Sequence, residues 1–165
     1  VRNVTFAYSE GQTPVLSQVS LDIEAGRHLA IVGSSGSGKS TLLRLLLGFE
    51  SPAQGAIYYD NQNLAELDTG LLRSQIGASV LSGGQRQRIL IARALVSKPK
   101  ILFFDEATSA LDNASQALVA KTLDAMTVTR ITIAHRLSTI EKADRICVLD
   151  GGKVAECGKR QLMEE

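Results

Sequence analysis

Gly33-Ser34-Ser35-Gly36-Ser37-Gly38-Lys39-Ser40 fits the pattern G-x-x-x-x-G-K-[ST], a loop that cradles phosphate groups. The flanks supply the context this motif requires. Leu29-Ala30-Ile31-Val32 reads as a buried strand before it, and Thr41-Leu42-Leu43-Arg44-Leu45-Leu46-Leu47 reads as a helix after it. A Gly/Ser-rich linker would not sit between a strand and a Leu-rich helix. Glycines at 33, 36 and 38 let consecutive backbone N–H groups turn inward on phosphate oxygens, and the helix N-terminus adds partial positive charge. The spacing then assigns Lys39 to the β- and γ-phosphates and the Ser40 hydroxyl to Mg²⁺.

The rest of the composition bounds what such a loop serves. At 165 residues the chain is long enough for one domain with a proper core. Eighteen basic residues against 17 acidic ones give no electrostatic case for a nucleic-acid partner. No apolar stretch approaches the roughly 18 residues of a membrane span, and the opening residues read as strand rather than signal peptide. Cys147 and Cys157 could pair, yet two cysteines in a nucleotide-binding chain read more simply as free thiols in a reducing compartment. Tryptophan is absent and aromatics are few, which argues against an aromatic binding platform. The expectation is a soluble cytosolic module.

Val4-Thr5-Phe6-Ala7-Tyr8 and Val19-Ser20-Leu21-Asp22-Ile23 alternate and read as half-exposed strands, predicting an antiparallel sheet ahead of the phosphate loop. Ala56-Ile57-Tyr58-Tyr59 reads as a short strand turning at Asp60-Asn61. Leu64, Leu67, Leu71 and Leu72 have helical spacing that Gly70 interrupts. Leu81-Ser82-Gly83-Gly84-Gln85 leads into a helical pattern from Arg86 to Val96; its small residues fit either a simple cap or an anion site. Ile101-Leu102-Phe103-Phe104 is a second fully apolar strand, ending in Asp105-Glu106, where open α/β sheets place ligands. Beside a phosphate loop, that carboxylate pair suits a metal and an attacking water. Asn113-Ala114-Ser115-Gln116 matches a capping box for a further helix carrying Val119, Leu123 and Met126. Arg130 to Ala134 forms a third strand ending at His135, which is equally a structural or a functional histidine. Arg145 to Leu149 and Lys153 to Ala155 read as a hairpin about Asp150-Gly151.

Taken in order, Gly33 to Ser40, Leu81 to Arg88, Ile101 to Glu106, Ser109-Ala110-Leu111-Asp112 and Ile133-Ala134-His135-Arg136 resemble the ATP-binding cassette domain of ABC transporters. The similarity covers nearly the whole chain, and Leu-Ser-Gly-Gly-Gln separates that family from other P-loop ATPases. It implies an α/β fold: a P-loop NTPase core with a mainly parallel sheet flanked by helices, plus an N-terminal antiparallel β-subdomain, spanning residues 1–165. It implies ATP and Mg²⁺ as cofactors, with Gly33, Ser34, Ser35, Gly36, Ser37, Gly38, Lys39, Ser40 and Thr41 around the phosphates and Ser40 and Asp105 on the metal. Tyr8 matches the residue that stacks on adenine, Glu106 the general base and His135 the switch histidine on the γ-phosphate. Ser82, Gly83, Gly84 and Gln85 would meet ATP held by a second cassette in a head-to-tail dimer, with Asp112 in the loop joining the two sites. Ala134 to Ile140 with Ala143 to Ile146 looks like exporter cassettes, which work with a transmembrane domain at the cytoplasmic face of the membrane. Details around Leu111-Asp112-Asn113 resemble bacterial peptide and bacteriocin exporters.

The chain also departs from the family. A glutamine loop and most of a helical subdomain belong between the P-loop half and the signature, and here Arg73-Ser74-Gln75-Ile76-Gly77 runs almost directly into Leu81. Gln75 precedes the place of that loop and is not assigned its role. The junction is expected near Ile76 to Ser79, either as flanks joined across a longer natural segment or as a genuine deletion. Three readings follow: a Mg·ATP hydrolase powering an exporter, a soluble cassette ATPase outside transport, or an ATP-binding module without turnover.

Overall fold

The structure is a computed structural model, and it describes residues 1–79, 95–96, 98–105, 121–123, 125–134 and 137–159. The strand before the phosphate loop, β3 (His28–Val32), has four of its five residues buried. An apolar run covered on both faces belongs inside a parallel sheet. β3 lies within a six-stranded sheet containing β7 (Ile76–Ser79), β8 (Ile101–Asp105), β9 (Thr129–Ile133), β10 (Arg145–Asp150) and β11 (Lys153–Lys159). The order is β11-β10-β3-β9-β8-β7, parallel throughout except for the β10–β11 hairpin. The carboxyl ends of β3, β9 and β8 therefore share one edge, where crossover topology leaves room for a ligand.

The helix after the loop, α1 (Lys39–Leu46), buries Thr41, Leu42, Leu43, Leu45 and Leu46, leaving Ser40 and Arg44 exposed. Apolar cover on nearly every side is the mark of a helix enclosed by other elements. Its leucines join one cluster with Leu29 and Ile31 of β3 and with Val4, Phe6, Leu16 and Val19. The last four belong to β1 (Arg2–Phe6) and β2 (Leu16–Val19), which form with β4 (Gln54–Ala56) a separate antiparallel sheet of order β2-β1-β4. α1 ends where the Gly48 N–H bonds the Leu45 carbonyl and the Phe49 N–H the Arg44 carbonyl, a Schellman cap. The fold is thus α/β, a parallel core sheet with an antiparallel N-terminal sheet, as the sequence predicts.

Several local expectations shift. The second strand is Leu16–Val19, not Val19 to Ile23; past Val19 one reciprocal pair remains, the Leu21 N–H on the Val1 carbonyl at 3.2 Å and the Val1 amine on the Leu21 carbonyl at 3.0 Å. The strand expected at 56–59 divides into β4 and the small hairpin of β5 (Tyr58–Tyr59) and β6 (Gln62–Asn63). The leucine-spaced stretch breaks in two because it holds two caps. Asn63 caps a 3₁₀ turn at Leu64–Glu66, and Asp68 accepts from the Gly70 and Leu71 N–H groups to start α2 (Thr69–Ser74). A short helix, α3 (Leu137–Ile140), precedes β10. Residues 76–79, where the junction was expected, are strand β7 at the sheet edge, with Ile76 opposite Ile101 and Ser79 opposite Phe104.

Phe103 is fully buried on β8 in the cluster that holds α1 to the sheet. Phe103→Ala is expected to lower unfolding stability by about 3–5 kcal/mol through lost transfer energy and cavity formation. Urea denaturation measures this, and a loss below 1 kcal/mol, roughly the scale of a surface change, would contradict the packing.

Candidate active site

The loop Gly33–Gly38 leaves β3 at the carboxyl edge and delivers the chain into α1. At Gly36 (φ 79°) an added Cβ would meet open space, so glycine is needed there for backbone conformation alone. Gly33 is different. A Cβ there would collide with the Leu149 carbonyl of β10, so the loop passes too close to its neighbour for any side chain. Gly38 caps α1 in a left-handed conformation without a side-chain hydrogen bond, and no acidic residue lies in the first turn. The helix start is thereby left open to an anion.

Lys39 is buried at 6% exposure and folds back over the loop, its Nζ donating to the Gly33 carbonyl at 2.9 Å and the Ser34 carbonyl at 2.7 Å. The Ser37 hydroxyl lies 3.5 Å away. Within the described residues' contacts, these loop oxygens compensate an ammonium that has no carboxylate among its hydrogen-bond partners. Ser40 Oγ donates to Asp105 Oδ2 at 3.5 Å, across 65 residues of sequence. The order β3-β9-β8 explains the meeting: Ile31 registers with Ile133, which registers with Asp105. A hydroxyl and a carboxylate side by side form a hard-oxygen donor pair that fits Mg²⁺.

Tyr8 is 54% exposed and sits on the loop side of β1, its Oη 3.0 Å from Thr41 Oγ1 and its ring edge-on to Phe6 at 5.0 Å. One aromatic face therefore stands beside the start of α1, open to solvent. Of the expected site residues the structure brings together Tyr8, Gly33, Ser34, Ser35, Gly36, Ser37, Gly38, Lys39, Ser40, Thr41 and Asp105. Ser82, Gly83, Gly84, Gln85, Glu106, Asp112 and His135 lie outside the described residues. Gln75 sits in the turn before β7, its carbonyl accepting from the Lys100 N–H at 3.1 Å. That is the amino-terminal edge of the parallel strands, opposite the phosphate loop, which agrees with leaving Gln75 unassigned.

One contribution escapes the sequence reading. The Gly152 N–H at the β10–β11 turn donates to the Ser37 carbonyl at 3.2 Å, and the Gly152 carbonyl accepts from the Ser17 N–H at 2.8 Å. The hairpin tip thus clamps the phosphate loop to the antiparallel sheet. The paired glycines at 151 and 152 signal a two-residue turn, but nothing local signals what that turn touches.

A family model described as ABC transporter matches residues 16–80 and 67–109, two overlapping stretches that together exceed half of the chain. The ATP-dependent lipid A-core flippase of Francisella novicida is 38% identical over 224 aligned positions, covering 100% of this chain and 37% of that protein. The leukotoxin export ATP-binding protein LtxB of Aggregatibacter actinomycetemcomitans is 37% identical, covering 97% of this chain and 31% of that protein. The chain spans about a third of the length of these curated relatives. Among solved structures, an ATP-bound bacterial Atm1-family ABC exporter superposes with a TM-score of 0.91 at 34% identity, over 98% of this chain and 38% of that one. A dimeric, post-hydrolysis ATP-binding cassette bound to ADP and Pi gives 0.86 at 26% identity, over 96% and 97%. With the phosphate loop, the parallel sheet and these similarities together, the chain belongs to the ATP-binding domain family of ABC transporters.

Proposed function

We propose that this chain binds Mg·ATP, hydrolyses it and, joined to a transmembrane domain, powers export. The observation that carries the reading is the convergence of Lys39, Ser40 and Asp105 on one loop at the carboxyl edge of the parallel sheet. Lys39 gives up its loop carbonyls and turns its ammonium onto the β- and γ-phosphates. The open start of α1 and the loop backbone before it receive the remaining phosphate oxygens. Ser40 and Asp105 would hold Mg²⁺, which would supply charge neutralisation at the phosphates. Tyr8 stacks its open face on adenine, with its hydroxyl steadied by Thr41. Glu106 accepts the proton of the attacking water, and His135 holds the γ-phosphate.

In the same reading Ser82, Gly83, Gly84 and Gln85 of one cassette close on ATP held by another, with Asp112 between the two sites. ATP then acts as glue whose hydrolysis loosens the pair, turning phosphate chemistry into opening and closing. The relatives carry exporter names, which supports a transmembrane partner and a position at the inner face of the membrane. Among the described residues no helix is long and apolar enough to cross a membrane.

A second reading rests on a specific observation. The alignments extend over 224 positions whereas this chain has 165 residues, so the relatives hold tens of residues that it lacks. We place the junction near the end of β7, within the stretch 67–80 that both family matches cover. A genuine deletion there removes the segment that positions the signature, leaving an ATP-binding module without turnover. Intact mass and ATP turnover measured on one preparation separate the readings. A mass well above 17.7 kDa with turnover that rises steeply with protein concentration is the expected result. A mass of 17.7 kDa with ATP binding but no phosphate release establishes the second reading, and absence of ATP binding refutes both.

A further inference from the structure

The cysteines left open by the sequence face each other. Cys147 on β10 and Cys157 on β11 are directly opposed in the antiparallel register. The two-residue turn alone would not align them: Asp150 pairs with Lys153 and Leu149 with Val154, a register that continues to Cys147 opposite Glu156. A bulge between Leu149 and Val148 shifts the pairing by one, so that Val148 meets Glu156 and Cys147 meets Cys157. Directly opposed residues have Cα atoms about 4.5–5.5 Å apart, inside the roughly 4.4–6.8 Å that a disulfide spans.

The two thiols differ in surroundings. Cys147 is fully buried in the main core, while Cys157 is half-buried on the edge strand of the sheet. Arg145 Nη2 approaches Cys157 Sγ at 3.9 Å, with its guanidinium also bonded to the Asp22 carbonyl at 3.1 Å and 3.9 Å from Glu24. The hydrogen bond from the Cys147 thiol, with Arg145 adding to it, brings Cys157 down to about 6 against the effect of burial. The same bond and burial push Cys147 up. A half-buried thiol beside a cation, with a buried thiol directly across the ladder, suits an attacking and a resolving cysteine.

We propose that Cys147 and Cys157 are a redox-active dithiol that takes hydroperoxides. The Cys157 thiolate attacks the distal peroxide oxygen; the O–O bond breaks, the alkoxide or hydroxide leaves and takes a proton, and Cys157 becomes a sulfenic acid. The Cys147 sulfur then attacks the Cys157 sulfur. The S–O bond breaks, and the departing hydroxide takes the Cys147 proton and leaves as water. The two thiols lose two electrons in all, the peroxide gains them, and a cross-strand disulfide joins β10 to β11. The chemistry does not depend on the nucleotide reading, because its readout is the state of the thiols.

The test is to treat the reduced, full chain with equimolar hydrogen peroxide at neutral pH and map its peptides without reduction. The expected product is an intramolecular Cys147–Cys157 disulfide, lighter by two hydrogens and reversed by dithiothreitol. Cys147→Ser is expected to accumulate sulfenic acid at Cys157, captured by dimedone. Cys157→Ser is expected to slow oxidation at least about tenfold, because the remaining thiol is buried. Should either variant fail to fold, the wild-type map decides. Two thiols left intact, Cys157 driven to sulfinic acid without a disulfide, or disulfides only between chains would each overturn the proposal.

Discussion

Lys39→Ala is expected to weaken ATP binding by roughly 100-fold, about the loss of one or two charge-assisted hydrogen bonds at 1.5–3 kcal/mol each. The reason lies in where the ammonium sits without nucleotide. It is buried, and among the described residues its partners are neutral acceptors, the Gly33 and Ser34 carbonyls and the more distant Ser37 hydroxyl. Such partners compensate a buried cation incompletely, and phosphate oxygens carrying full negative charge are better ones. Removing the ammonium therefore costs binding more than it costs the fold, because the Ser34 end of the loop is exposed and water can take over its carbonyl. Titration calorimetry gives the affinity, and a urea melt without nucleotide gives the stability. An unchanged ATP affinity would refute the phosphate role of Lys39. A collapse of stability by several kcal/mol would mean that the lysine is a structural strut of the loop instead.

The parts of the fold that could be read in advance are those whose pattern is local. β3 and β8 are continuous apolar runs because both of their faces are covered, and each appears within a residue of its expected bounds. β2 shows what such patterns miss. The alternation from Val19 to Ile23 reports burial correctly, with Leu21 buried and Asp22 exposed, but the regular ladder ends at Val19 and only the terminal Val1–Leu21 pair lies beyond it. Alternation specifies a face, not a ladder. Between Leu64 and Ser79 the leucine spacing suggests one helix, but Asn63 and Asp68 are the stronger signals, since their side chains satisfy N–H groups that a continuous helix would use. At the site, the residue types of the phosphate loop were legible because each serves its own backbone. The meeting of Ser40 with Asp105 and of Ser37 with Gly152 was not, because strand order and register are tertiary facts. The cysteines are the sharpest case, since a single bulge residue decides whether they oppose each other.

Glu106→Gln is expected to cut ATP turnover by about 10²–10⁴-fold, the range for losing a general base, while ATP affinity stays within a few-fold of the parent chain. The division of labour between neighbouring carboxylates underlies the expectation. Asp105 closes β8 at the carboxyl edge, and its Oδ2 is already engaged by Ser40. A carboxylate that holds the metal would be a poor proton acceptor, since the cation would engage its electron pairs. In the proposed reading the base is then a second carboxylate, and Glu106 follows directly in the chain. Amide and carboxylate have nearly the same shape, so the substitution removes basicity at nearly constant side-chain volume. Asp105→Asn supplies the contrast, because weakening the metal pair should raise the Mg²⁺ concentration needed for turnover, an effect that Glu106→Gln should not show. Phosphate release followed against Mg²⁺ for the two variants separates the roles. Normal turnover in Glu106→Gln would remove the general-base assignment, and a raised Mg²⁺ requirement in that variant would move Glu106 to the metal.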